Sequence, residues 1–312
     1  MTAYAAGAAD ISFFTPPAPA PAARVCTSGA PRSTPGRLPM WWLGEAVNGA
    51  SEGGAPLAAV PPPGAQLPAV QTLGRFRVLP SGRAAPAVEW HSKKARDLLK
   101  LLVARRGRSI PREALIDALW PGESPARCAN RLSVALSTIR SVLDPARLHP
   151  ASHFVSTGKH SVALTNIRVD VEEFLAAARH ALMGQHPTEM VRTRAFRRAA
   201  ALYTGDFLEQ DQHNDWAVSL REEAKATYVE LLRTLASTAA IARSYDNAAQ
   251  YNLRILERDG YDEQAHLGLV AVLRGAGQHG EARRRYQVYL DRMDEIGISP
   301  MPFPGEAGLR PY

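Results

Sequence analysis

Cysteine is scarce in this 312-residue chain, with Cys26 and Cys128 as the only two. Two thiols cannot build a disulfide framework, and their spacing is not that of a zinc site, so a reducing cytosol fits. Long apolar runs are missing as well. No stretch approaches the roughly 20 apolar residues of a membrane span. Residues 1–14 lack a basic start and a long apolar run, and so do not read as a signal peptide. The expectation is a soluble, cytoplasmic protein with no membrane partner.

Catalytic signatures are equally thin. The chain holds no Walker A loop, no GxSxG and no HExxH. Gly275-Ala-Gly277-Gln-His-Gly280 matches GxGxxG by letter, but it falls between two helical patterns and not after a strand, so it reads as a turn of a helical repeat. His149 and His153 stand four apart, yet Pro150 argues against a shared helix face and a metal pair. Carboxylates such as Glu222 and Glu223 read as helix surface. The pattern points away from an enzyme and implies no cofactor or metal.

Charge is present but uneven. The net charge of +7 divides into 0 over residues 1–70, +11 over 71–169 and −4 over 170–312. A strongly positive middle segment beside an acidic neighbour suits a polyanion. Residues 1–70 hold 12 of the 24 prolines and 17 alanines. Pro16 to Ala23 and Pro61-Pro62-Pro63 favour polyproline geometry, so this segment reads as a mostly disordered extension. Met40-Trp41-Trp42-Leu43 interrupts it, either as a cluster docking on the next domain or as a partner-binding motif.

The middle segment, 71–169, has the pattern of one compact domain. Phe76 and Val78 alternate with Arg75 and Arg77, as on a half-buried strand over 73–79. Pro80-Ser81-Gly82 is a turn, and Val88 to Trp90 can return as a second strand. A helix from Ser92 to Arg105 places Leu98, Leu99, Leu101, Leu102 and Val103 inside and Lys93, Lys94, Arg96 and Lys100 outside. A second runs from about Pro111 to Trp120, with Trp120 as core. Within Pro125 to Leu143, Leu132, Leu136, Ile139 and Leu143 recur at i, i+4, i+7 and i+11, one stripe of a third helix. Ser124-Pro125 supplies a capping hydroxyl and a first-turn proline, and Asp144-Pro145 a stop. Opposite the stripe lie Arg127, Asn130, Val134, Ser137 and Ser141, flanked by Arg131, Ser133, Thr138 and Arg140. Then His153 to Leu164 offers two β-prone runs around Gly158.

A helix with a polar, basic outer face followed by a basic hairpin is the layout of a winged helix that reads duplex DNA. Arginine reads guanine, asparagine reads adenine, and a small or apolar side chain meets a thymine methyl. Asn130, Arg131, Val134 and Ser137 fit those roles. Arg127 and Arg140 would meet phosphates, although Arg140 can instead pair with Asp144. Thr157, Lys159 and His160 would form the wing tip, reaching the minor groove or its backbone. Lys93 and Lys94 are either further phosphate contacts or a solvated face. Val134 is the most telling of these, because an exposed valine opposite the buried stripe needs a reason. It either meets a base or packs against another part of the domain.

From Asp170 the pattern is helical almost throughout. Arg243 to Gln250 matches Gly277 to Arg284 at an offset of 34 residues, the tetratricopeptide period. The fold class expected is mainly α: a winged helix-turn-helix domain with small sheets, then an all-α tetratricopeptide-like domain over 170–300 and an irregular tail over 301–312.

Leu73-Gly-Arg-Phe76, Leu115-Ile-Asp-Ala-Leu-Trp120-Pro, Asn130-Arg-Leu132 with Leu136-Ser-Thr-Ile-Arg140, Val169-Asp-Val-Glu-Glu-Phe174, Gly277-Gln-His-Gly-Glu-Ala282 and Glu295-Ile-Gly-Ile-Ser-Pro300 stand in that order. Together they resemble the actinomycete antibiotic regulatory proteins, the SARP family, over residues 71–300. The resemblance implies a winged helix of the response-regulator output type followed by a bacterial transcriptional activation domain. It further implies binding to direct repeats of promoter DNA, a possible homodimer there, contact with RNA polymerase through its sigma or alpha subunit, and a nucleoid-associated location. The family often has arginine where Thr138 stands and an aromatic near Lys159, so this chain departs from it at one helix contact and at the wing. The competing class is a tetratricopeptide-like adaptor whose basic domain binds an acidic protein.

Overall fold

The structure is a computed structural model that describes residues 67–80 and 90–304. The readings of most of the Ala/Pro-rich extension, of Met40 to Leu43, of a strand through Val88 and Glu89, and of the last eight residues lie outside the described part.

Two short strands, β1 (Ala69–Gln71) and β2 (Arg77–Leu79), open it. Then come α1 (Lys93–Ala104), β3 (Ile110–Pro111), α2 (Arg112–Leu119), α3 (Pro125–Leu143), β4 (Val155–Thr157), β5 (Ser161–Leu164) and β6 (Arg168–Val169). One sheet has the order β2-β1-β6, with β1 antiparallel to β2 and parallel to β6. The other has the order β3-β5-β4 and is antiparallel throughout. The three helices pack between them around Leu98, Leu99, Leu102, Leu115, Leu132, Leu136 and Ile139, all buried. This is the winged helix the patterning anticipates. The chain continues as helices: α4 (Asp170–Met183), α5 (Glu189–Leu202), α6 (Asp215–Ile241), α7 (Tyr245–Arg258), α8 (Glu263–Gly275) and α9 (His279–Glu295). Each packs on the next. The architecture is mainly α, a winged helix followed by a helical domain. Among the described residues no helix is long and apolar enough to cross a membrane.

Local signals account for most helix ends. Ser92 caps α1 by accepting from the Ala95 N–H at 3.3 Å, and Gly107 follows at φ +71°. Ser124 occupies the cap position of α3, but its hydroxyl makes no cap bond, contrary to expectation; Pro125 in the first turn starts the helix without it. The GxGxxG letters span the turn between α8 and α9, with Gly277 at φ +76°. α7 and α9 begin at Tyr245 and His279, matching the sequence offset. After α9 the chain has no regular element through Pro304. Phe303 is nonetheless buried against Tyr286, with ring centres 5.0 Å apart.

The first sheet departs from the sequence reading. The strand drawn over 73–79 holds only from Arg77, and its partner is β1, whose Ala69 and Val70 the composition assigns to the extension. Val70 is 1% exposed. The cause is a sharp corner at Thr72-Leu73-Gly74, where Gly74 has φ +81°. Asp170, first residue of α4, holds that corner. Its carboxylate accepts from the Thr72 and Leu73 N–H groups at 2.8–2.9 Å and from the Thr72 hydroxyl at 2.6 Å.

The segment before α6 completes the clamp. Leu73 bridges Phe207, Gly74 N–H donates to the Asp206 carbonyl at 3.0 Å and Leu208 N–H donates to the Thr72 carbonyl at 2.8 Å. A Cβ on Gly205 would stand 2.8 Å from the Gly74 Cα, so the two backbones cross at a distance only glycine allows. Lys100 is a correction: read as an outside lysine, it is 3% exposed. Its Nζ pairs with Asp211 at 2.6 Å. The helical domain covers that face of α1, which makes a buried pair of what α1 alone would leave in water.

Removing the Asp170 carboxylate leaves buried N–H groups without an acceptor, each costing about 1–3 kcal/mol. Asp170→Ala should lower stability by about 2–4 kcal/mol, read as the melting temperature of the full chain. An unchanged melting temperature would show that the corner does not hold the two domains together.

Candidate nucleic-acid interface

The third helix buries one side and bares the other. Leu132, Leu136, Ile139 and Leu143 are buried, together with Cys128 and Ala135. Arg127, Asn130, Arg131, Ser133, Val134, Ser137 and Ser141 are exposed. Val134 is 60% exposed, so the alternative that it packs elsewhere in the domain does not hold among the described residues. Thr138, half-buried, turns its hydroxyl back to the Val134 carbonyl at 3.1 Å. It stands in place of the arginine the resemblance leads one to expect.

The wing stands beside this face. Gly158 N–H donates to the Ser161 carbonyl at 2.8 Å and closes the turn between β4 and β5. Thr157, Lys159 and His160 are exposed around it. The first residue of α2 anchors the hairpin: Arg112 N–H donates to the His160 carbonyl at 2.9 Å. The Arg112 guanidinium reaches Ser133 Oγ at 3.4 Å. It therefore lies between wing and helix, a basic group at the interface that no sequence pattern singled out.

Two of the proposed arginines have other partners. Arg140 does not pair with Asp144. Its Nε donates to the Ala151 carbonyl at 2.9 Å, and its Nη2 reaches the Val155 carbonyl and Thr157 Oγ1, both at 3.5 Å. It braces the end of α3 against β4, which leaves it less free for a phosphate. Partial burial and the neighbouring Arg112 lower its pKa. Arg131 is exposed but not free: its Nη1 donates to both oxygens of Glu123, at 2.9 and 2.7 Å. Glu123 sits in the turn before α3 and gave no sequence signal. Burial and the Glu123 carboxylate raise the pKa of the Cys128 thiol beneath them. Raised and buried, it is a core group and not a reactive one.

The basic start of α1 splits. Lys93 is exposed. Lys94 donates to the Leu119 carbonyl and lies 5.9 Å from the Trp120 ring centre, so it ties α1 to the end of α2. Beyond α3 the Asp144 carboxylate accepts from the Leu148 and His149 N–H groups at 3.0 and 2.8 Å. The His149 and His153 rings stack at 4.5 Å. Among the described residues no group of three or more His, Cys, Asp or Glu could hold a metal ion.

The arrangement is therefore a bare helical face of Arg127, Asn130, Arg131, Val134 and Ser137, with Lys159 and His160 on a hairpin at its side. Comparisons with known proteins bear on the same region. Residues 89–158 match the family described as "Transcriptional regulatory protein, C terminal", and residues 169–303 the "Bacterial transcriptional activator domain". No curated protein matches the chain. Among solved structures, Mycobacterium tuberculosis EmbR, in a complex with a low-affinity phosphopeptide, has a similar fold. The TM-score is 0.60 at 19% identity, over 76% of this chain and 62% of that one.

Glu123 competes with any anion for Arg131. Glu123→Gln should raise affinity for random duplex about three- to tenfold at low salt, because a rim carboxylate is removed and a guanidinium released. Fluorescence anisotropy with a labelled duplex reads this. Unchanged affinity would mean that the pair opens at no cost, or that Arg131 lies away from the DNA.

Proposed function

We propose that the chain, which joins an output winged helix to a bacterial transcriptional activator domain, is a SARP-type transcriptional regulator that activates the promoter of a secondary-metabolite gene cluster by binding direct repeats and recruiting RNA polymerase. The observation that carries the reading is the uncovered outer face of α3, where Val134 stands in water between polar and basic neighbours. An α-helix enters the major groove on such a face. Arg131 would take guanine O6 and N7, Asn130 adenine N6 and N7, and Val134 a thymine methyl, while Ser137 allows close approach. Arg127 and Arg112 would meet phosphates and set register. Lys159 and His160 would reach the next minor groove or its backbone. Two copies would occupy the two repeats, and the helical domain would meet the sigma or alpha subunit of the polymerase. The protein would work in the cytoplasm on the nucleoid.

A bare valine flanked by arginines also suits the adaptor reading, in which the same face binds an acidic protein. Salt and sequence separate the two. Full-length protein is titrated against promoter duplexes neighbouring its own gene and against scrambled duplexes, over a range of salt. The activator reading expects steep loss with salt and a preference of about a thousandfold or more for the cognate duplex. Equal binding to both duplexes would contradict it. Arg131→Ala should cost about 1–3 kcal/mol on the cognate duplex and less on the scrambled one. An equal loss on both would make Arg131 a phosphate contact.

A further inference from the structure

The segment from residue 170 onward is acidic as a whole, yet α5 concentrates basic charge. Met190, Arg194 and Arg197 fall at i, i+4 and i+7 and share one face. Between that face and the second half of α6 lie two adjoining hollows of about 470 and 590 Å³. Both are lined by Glu189, Thr238 and Ala242. The first has Leu235 and Ala239 as an apolar floor, with Met190, Arg194 and Arg197 on its wall. The second adds Arg192, Arg233 and Ile241. No residue lining either hollow belongs to the winged helix, so the groove is separate from the face that would read DNA.

Met190 is 82% exposed and Ile241 83%. Neither contributes to the core, and large apolar side chains beside an apolar-floored groove mark a binding surface. Arg233 pairs with Asp262, and Arg192 reaches Glu189 at 3.4 Å. Arg194 and Arg197 have no carboxylate partner among the described residues, so the rim carries uncompensated positive charge. A duplex brings phosphates, but its thymine methyls lie inside the major groove and no apolar side chain projects from it to fill such a floor.

We propose that this groove between α5 and α6 docks an acidic amphipathic helix of a partner protein. The partner's apolar side chains would enter beside Met190 and Ile241, and its carboxylates would meet Arg194 and Arg197. Helix-in-groove recognition of this kind reads anchors at i, i+3 or i+4 and i+7. Met190 adapts to the shape of the anchor. The proposal does not depend on the DNA reading of α3.

The test uses the full chain and a labelled synthetic peptide with Leu and Phe on one helix face and Asp and Glu on the other. A scrambled peptide of the same composition is the control. The amphipathic peptide should bind at least about tenfold tighter than the scramble. Arg194→Glu with Arg197→Glu should weaken it about tenfold, and a peptide with Lys in place of its acids should bind this variant better than the original chain. Duplex affinity and melting temperature should not change. Met190→Ser with Ile241→Ser, both at exposed positions, should weaken the peptide without affecting the fold. Equal binding of peptide and scramble would overturn the proposal. So would loss of duplex affinity in the arginine variant, which would make the groove a phosphate-binding face. A dimer of the original chain that either double variant takes to monomer, read by light scattering, would also overturn it, because the occupant would then be a second copy.

Discussion

One carboxylate joins the two halves of this protein. Asp170 begins α4 and accepts the N–H groups of Thr72 and Leu73 and the Thr72 hydroxyl. Its own helix needs an acceptor for its first N–H groups, and Asp170 Oδ1 takes the Val171 N–H at 2.8 Å as well. The same side chain therefore takes a first-turn N–H of the helical domain and fixes the corner of the winged helix. Gly74 and Gly205 let the backbones meet there, and Lys100 with Asp211 closes the other side of α1. A buried ion pair of this kind adds little net stability when intact, but removing one partner strands the other charge. The result is geometric: α1, and through it α3, is held in a fixed relation to the helical domain.

That constraint matters for a regulator. A DNA-reading helix that is tied to its activation domain delivers that domain at a set position on the promoter. A flexible linker would spread it over many positions. Here the chain passes from the wing through β6 directly into α4, and β6 pairs with β1 inside the first sheet. No free linker separates the two domains.

The sequence made the local part legible. The stripe of Leu132, Leu136, Ile139 and Leu143 placed α3 and its bare face, and the β-prone runs around Gly158 placed the wing. These are periodicities within one element, set by helix and strand geometry. What stayed hidden depends on partners far along the chain. Lys100 reads as an outside residue until Asp211 arrives from the other domain. Leu73 reads as a strand residue until Phe207 and Asp170 hold it as a corner. Val70 sits in a stretch whose composition looks like linker, because three residues of β1 are too few to shift it. At the proposed interface, Arg140 and Arg131 were visible as basic groups, but their engagement by Ala151 and Glu123 was not. Arg112 could not be told from any other surface arginine, because only the folded domain brings it beside His160 of the wing and Ser133 of α3.

On the proposed function, the exposed face of α3 lies in the major groove. Methylation interference on the promoter duplex tests it most directly, because methyl groups on guanine N7 stand in the major groove and those on adenine N3 in the minor groove. N7 methylation at specific guanines in each repeat should block the full-length protein, and Arg131→Ala should lose this sensitivity at one of them. Interference confined to adenine N3, or none at either position, would contradict the major-groove placement.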